Sequence, residues 1–104
     1  MKHHSKHPPI VELKARAFIG DAPYDFKVKG QTARALHALH RAKDSGITAL
    51  EVSSWALRLA AYVHTLRDKH GLHIETKTER FGKASLCGRY VLHTKIELVS
   101  VIFE

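Results

Sequence analysis

The sequence predicts an α+β fold in which a β-hairpin, three helices and a second β-hairpin follow one another in a single small domain. Two patterns predict it. Apolar residues alternate with polar ones at a period of two from Ile10 to Val28 and again beyond Gly71, whereas from Thr32 to Lys69 they recur at helical spacing. Glycine-bearing segments separate these blocks. A chain of 104 residues is long enough to bury one core without disulfide staples and too short for two.

The first nine residues, MKHHSKHPP, are polar, rich in His and Lys, and closed by Pro8-Pro9, which reads as a mobile basic arm. From there Val11, Leu13, Ala15, Ala17 and Ile19 alternate with Glu12, Lys14, Arg16 and Phe18. Tyr24, Phe26 and Val28 then alternate with Asp25 and Lys27. With Gly20-Asp21-Ala22-Pro23 as the turn, the segment is a hairpin from about Val11 to Val28. A short helix over Val11–Ile19 is the competing reading, since Ala, Leu, Lys and Arg are good helix formers.

Gly30 interrupts the alternation, and Thr32 is placed to cap a first helix running to about Lys43, with Ala35, Leu36, Leu39 and Ala42 on its apolar face. Asp44-Ser45-Gly46 ends it with a glycine suited to the position after the C-cap. Ile47 is a strand-like link. Thr48, with Glu51 three residues on, forms a capping-box signature for a second helix of barely two turns. Ser53-Ser54 is the turn into a third helix from about Trp55 to Lys69, stopped at His70-Gly71.

On this third helix Leu59, Val63 and Leu66 form the core stripe, with Ala60 beside them. Arg58, Tyr62, Thr65 and Lys69 recur at i, i+4, i+7 and i+11 and form an exposed row of two cations, a phenol and a hydroxyl. Cations meet phosphates or guanine edges and small polar groups reach bases, so such a row suits a helix that reads DNA. A solvated face of any soluble helix would also carry it.

Beyond Gly71 the period returns to two. Leu72, Ile74 and Thr76 lead a strand to Phe81, Gly82 to Gly88 form a loop, and Tyr90 to Val101 make a second strand. Three helices with a trailing hairpin make the winged helix-turn-helix arrangement. The chain then divides into a basic arm (1–9), a hairpin extension (10–30) and a winged-helix DNA-binding domain (31–104).

The segment ITALEVSSWALRLAAYVHTLRDKHGLHIETKTER resembles the small winged-helix DNA-binding domains of bacterial and phage genomes, in which a Thr-x-x-Glu helix precedes an Arg-Leu-x6-Leu-Arg helix. Here these positions are Thr48, Glu51, Arg58, Leu59, Leu66 and Arg67, and GRYVLHTKIEL is similar to the strand that returns from the wing. The resemblance runs from about Gln31 to Val99, with Ser-Ser where a glycine often separates the two helices. It implies that the longer helix enters the major groove, with Ser54, Trp55, Arg58, Tyr62 and Thr65 reaching bases. Arg58 is then the candidate for a bidentate guanine contact, worth about 1–3 kcal/mol of discrimination. Lys69, Lys77, Arg80, Lys83 and Arg89 would meet phosphates, and Lys2 and Lys6 of the arm would follow the backbone or a minor groove. Trp55, the single tryptophan, has a competing role as a half-buried anchor, and Tyr62 lies between the core stripe and the basic row.

Composition agrees with a polyanionic partner. Seventeen Lys and Arg against ten Asp and Glu give +7 with histidines neutral. The single Cys87 excludes an intramolecular disulfide and a thiolate zinc site, and a reducing, cytoplasmic, nucleoid-associated setting is expected. No apolar run reaches the roughly 20 residues of a membrane span, and no signal-type segment follows the N-terminal charges. Nine histidines raise a metal hypothesis at His3-His4 with His7, at His37 and His40, and at His70 and His73. None carries a zinc-protease spacing, so no metal or cofactor is expected. Cys87 with His93 is the only nucleophile pairing to consider, and Glu51 and Glu12 are better placed as a cap and a strand-surface residue than as acid and base, so the chain does not read as an enzyme.

The sequence therefore reads as a sequence-specific double-stranded DNA-binding protein, a transcriptional regulator or an excisionase-like accessory factor of a phage or mobile element. A homodimer is expected through the hairpin residues Phe18, Ile19, Tyr24 and Phe26. The alternatives are a winged-helix module that docks a protein and an RNA binder.

Overall fold

The computed structural model describes residues 7–49, 58–81 and 85–104, with the backbone alone at residues 81 and 85–87. It begins with the expected hairpin: β1 (Ile10–Ile19) and β2 (Ala22–Lys29) pair antiparallel across a turn at Gly20-Asp21. The helical alternative for Val11–Ile19 fails because burial follows the period of two. Leu13, Ala15 and Ala17 are fully buried and face Val28, Phe26 and Tyr24, while Arg16 on the other face meets Asp25 at 2.8 Å. Tertiary burial outweighs the helix propensity of Ala, Leu, Lys and Arg here.

Helix α1 (Gly30–Ala42) starts directly from β2. Its N-cap is Lys29, with no side-chain cap, so Thr32 lies inside the first turn and does not cap. The helix starts straight from the strand, so the extended cap position falls on Lys29 (φ −131°, ψ 157°), whose side chain makes no cap bond, and Thr32 already sits in the first turn. Ala33, Ala35, Leu36, Ala38 and Leu39 are buried, the alanines letting the helix lie close to its neighbours. After a 3-10 turn (Lys43–Ser45), Gly46 adopts φ 67° and ψ −177° against the strand that carries Tyr90. A Cβ there would lie 2.5 Å from the Tyr90 carbonyl oxygen.

Strand β3 (Ile47–Thr48) pairs with Tyr90 and Arg89. The expected Thr48–Glu51 helix and the Ser53-Ser54 turn lie, beyond Thr48 and Ala49, outside the described residues. Two helices rather than three are present among the described residues. The second is α2 (Leu59–His70), with Arg58 at the N-cap in a non-helical conformation (φ −106°, ψ 30°), so the helix does not run through Arg58 as expected. At its other end Gly71 takes the left-handed conformation and its N–H donates to the Arg67 carbonyl, the five-to-one bond of an αL stop, while Leu72 N–H donates to the Leu66 carbonyl.

The C-terminal strands depart most from expectation. β4 (Ile74–Phe81) and β5 (Ser85–Leu92) form the wing hairpin, with β5 beginning inside the segment expected to be a loop. The single strand expected from Tyr90 to Val101 is broken at His93-Thr94, and β6 (Lys95–Phe103) leaves the wing to pair with β1. The break has a local cause. His93 N–H donates to the His73 carbonyl at 2.8 Å and His73 N–H donates to Thr94 Oγ1 at 2.7 Å, which pins the chain where it changes sheets. The result is two three-stranded sheets, β2-β1-β6 and β3-β5-β4. One core joins them, running from Leu13, Ala15 and Ala17 through Leu36 and Leu39 of α1 to Leu59, Val63 and Leu66 of α2 and Ile74 of the wing.

Candidate nucleic-acid interface

Leu59, Val63 and Leu66 anchor α2 by one stripe, and two polar anchors fix its rotation. On the wing side the Arg67 guanidinium donates to the Ile74 carbonyl, through Nε at 2.9 Å, and to Thr76 Oγ1 at 2.7 Å. On the hairpin side the Tyr24 hydroxyl donates to the His70 carbonyl, and the Phe26 ring lies 4.9 Å from the His70 ring. Two orphan carbonyls of strand and helix end are thereby satisfied.

This rotation turns Ala60, Ala61, His64 and Asp68 outward, with Arg58 and Lys69 exposed on one flank. Ala60, expected beside the core, is exposed. Tyr62 is half-buried and packs against the core, and Thr65 is half-buried with its hydroxyl donating to the Ala61 carbonyl at 3.1 Å. Of the expected row, Arg58 and Lys69 are thus exposed, while Tyr62 packs against the core and Thr65 bonds within the helix. The missed residues are His64 with Ala60 and Ala61. The available signal was two successive alanines four and three residues before an unassigned histidine, small enough to let a partner approach the backbone.

In the wing, Lys77 and Arg80 are exposed on β4. Arg89 differs from expectation. Its Nε meets Glu79 Oε2 at 2.6 Å and its Nη1 donates to the Ser45 carbonyl at 3.0 Å, so the guanidinium ties β5 to β4 and to the 3-10 turn that follows α1. Both contacts are charge-assisted hydrogen bonds and fix the position of the guanidinium in the wing. Ser54, Trp55 and Lys83 lie outside the described residues, as do Lys2 and Lys6 and the pair His3-His4.

The expected dimer patch is also divided. Tyr24 and Phe26 are held against α2, while Phe18 and Ile19 remain exposed near the turn with Lys95 Nζ 5.3 Å from the Phe18 ring centre.

The histidines serve packing and charge. His37 is buried and its ring meets the Phe103 ring edge-on at 5.8 Å. Burial, above all, pushes His37, His40 and His70 below their ordinary value. His93 Nε2 lies 2.7 Å from Glu75 Oε1, and this hydrogen bond holds the Glu75 carboxyl below the ordinary range. His73 stacks beside His93 at 5.0 Å. Among the described residues no three His, Cys, Asp or Glu side chains are grouped so as to hold a metal ion, and no helix is long and apolar enough to cross a membrane.

A family model described as a winged helix domain matches residues 25–102. No curated protein and no solved structure matches the chain.

Proposed function

The chain belongs to the winged helix domain family, and from that premise we propose that it is a sequence-specific reader of double-stranded DNA, with α2 as the helix that enters the major groove. The observation that carries the proposal is the outward side of α2, where Arg58 and Lys69 flank a surface of Ala60, Ala61 and His64, while the side chains that hold the helix in place point elsewhere. Small outward side chains let a helix settle deep in a groove about 12 Å wide, and a cation at its N-terminal end reaches a guanine edge or a phosphate. The first turn carries no acidic side chain, so the positive end of the helix and Arg58 present one sign of charge. Asp68, near the other end, repels phosphates and restricts base reading to the N-terminal half.

In this reading Arg58, His64 and Thr65 approach bases, and Ser54 and Trp55 precede them in the contact set. Lys69, Lys77, Arg80 and Lys83 meet phosphates. Recognition without chemistry fits a transcriptional regulator or an excisionase-like accessory factor. The test is selection and sequencing from a random duplex pool for wild type and Arg58→Ala, at about 50 and about 200 mM salt. An enriched motif that the variant relaxes supports the reading. Binding with no motif, erased by salt and indifferent to Arg58, sinks it and leaves an RNA or protein partner to be sought.

A further inference from the structure

The two edges of the β2-β1-β6 sheet, neither of them paired with a further strand among the described residues, differ in kind. The β2 edge carries Pro23, Asp25, Lys27 and Lys29, the residues by which natural sheets block pairing with another chain. The β6 edge carries no such block. Between Glu97 and Glu104 its sequence is LVSVIF, with Ser100 the only polar side chain, and Val99, Ile102 and Phe103 are 52%, 50% and 50% exposed.

From this edge we infer that β6 pairs antiparallel, about a two-fold axis, with β6 of a second copy of this chain. The register follows from a bulge. Lys14 faces Ser100 but Ala15 faces Leu98, so Val99 is an extra residue in β6. The side chains on either side of it are therefore arranged as mirror images. Ile96 and Leu98 before the bulge, and Val101 and Phe103 after it, face the core side opposite Ala17, Ala15, Leu13 and Ile10. Lys95 and Glu97, and then Ser100 and Ile102, lie on the outer side opposite Phe18, Arg16, Lys14 and Glu12.

Residues directly opposite in a ladder must share a face, and a slip by one residue mismatches them. With a two-fold axis between Val99 and Ser100, Leu98 meets Val101 and Glu97 meets Ile102, each pair on one face, and the bulge residue Val99 lies at the axis beside Ser100. Sliding the axis by half a residue either way sets Leu98 against an outer residue, and a full residue toward the C-terminus places Glu97 opposite Glu104, like charges in contact. A bulge ordinarily bends an edge away from partners; at the centre of symmetry it bends both copies alike. His40 holds the Ile96 backbone, so the ladder runs from Glu97 to Ile102. The product is a closed, isologous dimer with one continuous sheet, three strands from each copy. The pairing stands independently of what α2 binds.

Two measurements test it. In sedimentation velocity over a concentration series, wild type should reach twice the chain mass, and Val99→Lys, which places a charge at the axis, should fall to half that value with its circular dichroism unchanged. In a Cys87→Ser background, Glu97→Cys mixed with Ile102→Cys should form a cross-chain disulfide on mild oxidation, while either variant alone should not. In each single variant the two cysteines lie five residues apart along the strand, about 16 Å, beyond the reach of a disulfide. A wild type that stays monomeric, a Val99→Lys protein that dimerises as well as wild type, or single cysteines that cross-link as readily as the mixture would each overturn the inference. If Val99→Lys does not fold, the cross-linking pattern alone decides.

Discussion

Replacing Gly46 with alanine should destabilise the protein far more than an ordinary surface substitution, and the structure separates two causes. The backbone there, φ 67° and ψ −177°, belongs to a region that only glycine occupies readily, at a cost of about 1–3 kcal/mol for any other residue. The added Cβ would also lie 2.5 Å from the Tyr90 carbonyl oxygen and 2.8 Å from Val91 Cγ2, atoms of the wing strand that must move as a unit with β3 and β4. Overpacking of that kind costs about 1–3 kcal/mol. Together the two reach about 2–6 kcal/mol, against a total stability of about 5–15 kcal/mol for a domain of this size. Gly20→Ala is the internal control. It shares a positive φ of 70° but has nothing within 4 Å of the new methyl, so it carries the conformational part alone, about 1–2 kcal/mol. Urea unfolding followed by circular dichroism gives both values. If Gly46→Ala falls no further than Gly20→Ala, the close approach of the α1 end to β5 does not carry the energy assigned to it.

Arg80→Ala and Arg89→Ala should part company: the first should lower the salt slope of DNA binding by about one unit with little change in stability, and the second should cost about 1–3 kcal/mol of stability by breaking the Glu79 and Ser45 contacts with the slope unchanged. Tyr24→Phe should cost about 1 kcal/mol in urea unfolding, since the His70 carbonyl then loses its donor. The histidines whose ionisation burial disfavours give the stability a pH dependence of definite sign. His37, His40 and His70 stay neutral in the fold below the 6.5 at which the unfolded chain takes up protons, so stability is full above that pH and falls as pH drops from there toward the lower folded values. His37→Leu should flatten the slope in that window, and an unchanged slope counts against the burial argument; Glu75, held low by His93, acts only below the carboxylate's ordinary 4.5. Arg67→Lys keeps the charge but loses the fork that spans Ile74 and Thr76, so it should preserve the salt slope of binding while blurring the selected motif.

Features set by near neighbours were legible in the sequence. The alternation from Ile10 to Val28 and the Gly71 stop are local matters of period and backbone conformation, and they fold as read. Features set by distant partners were not. Thr94 has a β-branched side chain that a strand accepts as readily as an apolar one, so the polar step His93-Thr94-Lys95 does not by itself mark the point where the chain changes sheets. That point depends on bonds from His73, about twenty residues away. Thr32 is a good capping residue, but the strand runs into the helix three residues before it and the cap position falls on Lys29. Arg89 reads as one more wing cation because Glu79 pairs with it diagonally across two strands, a relation invisible until the register is known.

The candidate site shows the same division at finer scale. Spacing alone places Arg58, Tyr62, Thr65 and Lys69 in one row, but it leaves the rotation of that row about the helix axis open by roughly one side-chain position, or about 100°. The rotation is decided outside the helix. Arg67 holds one side to the wing strand and His70 is held by Tyr24 of the first hairpin, and between them Tyr62 turns inward while Ala60 and His64 turn out. The N-terminal hairpin therefore bears on the proposed recognition even though it lies before the helix in sequence and holds it near its far end. It also carries β6 as its third strand, so the edge proposed to join two copies and the helix proposed to read DNA are fixed to the same sheet. The spacing between two recognition helices in a dimer is then set by sheet geometry rather than by a flexible linker, and a rigid spacing is what selects half-sites a fixed number of base pairs apart.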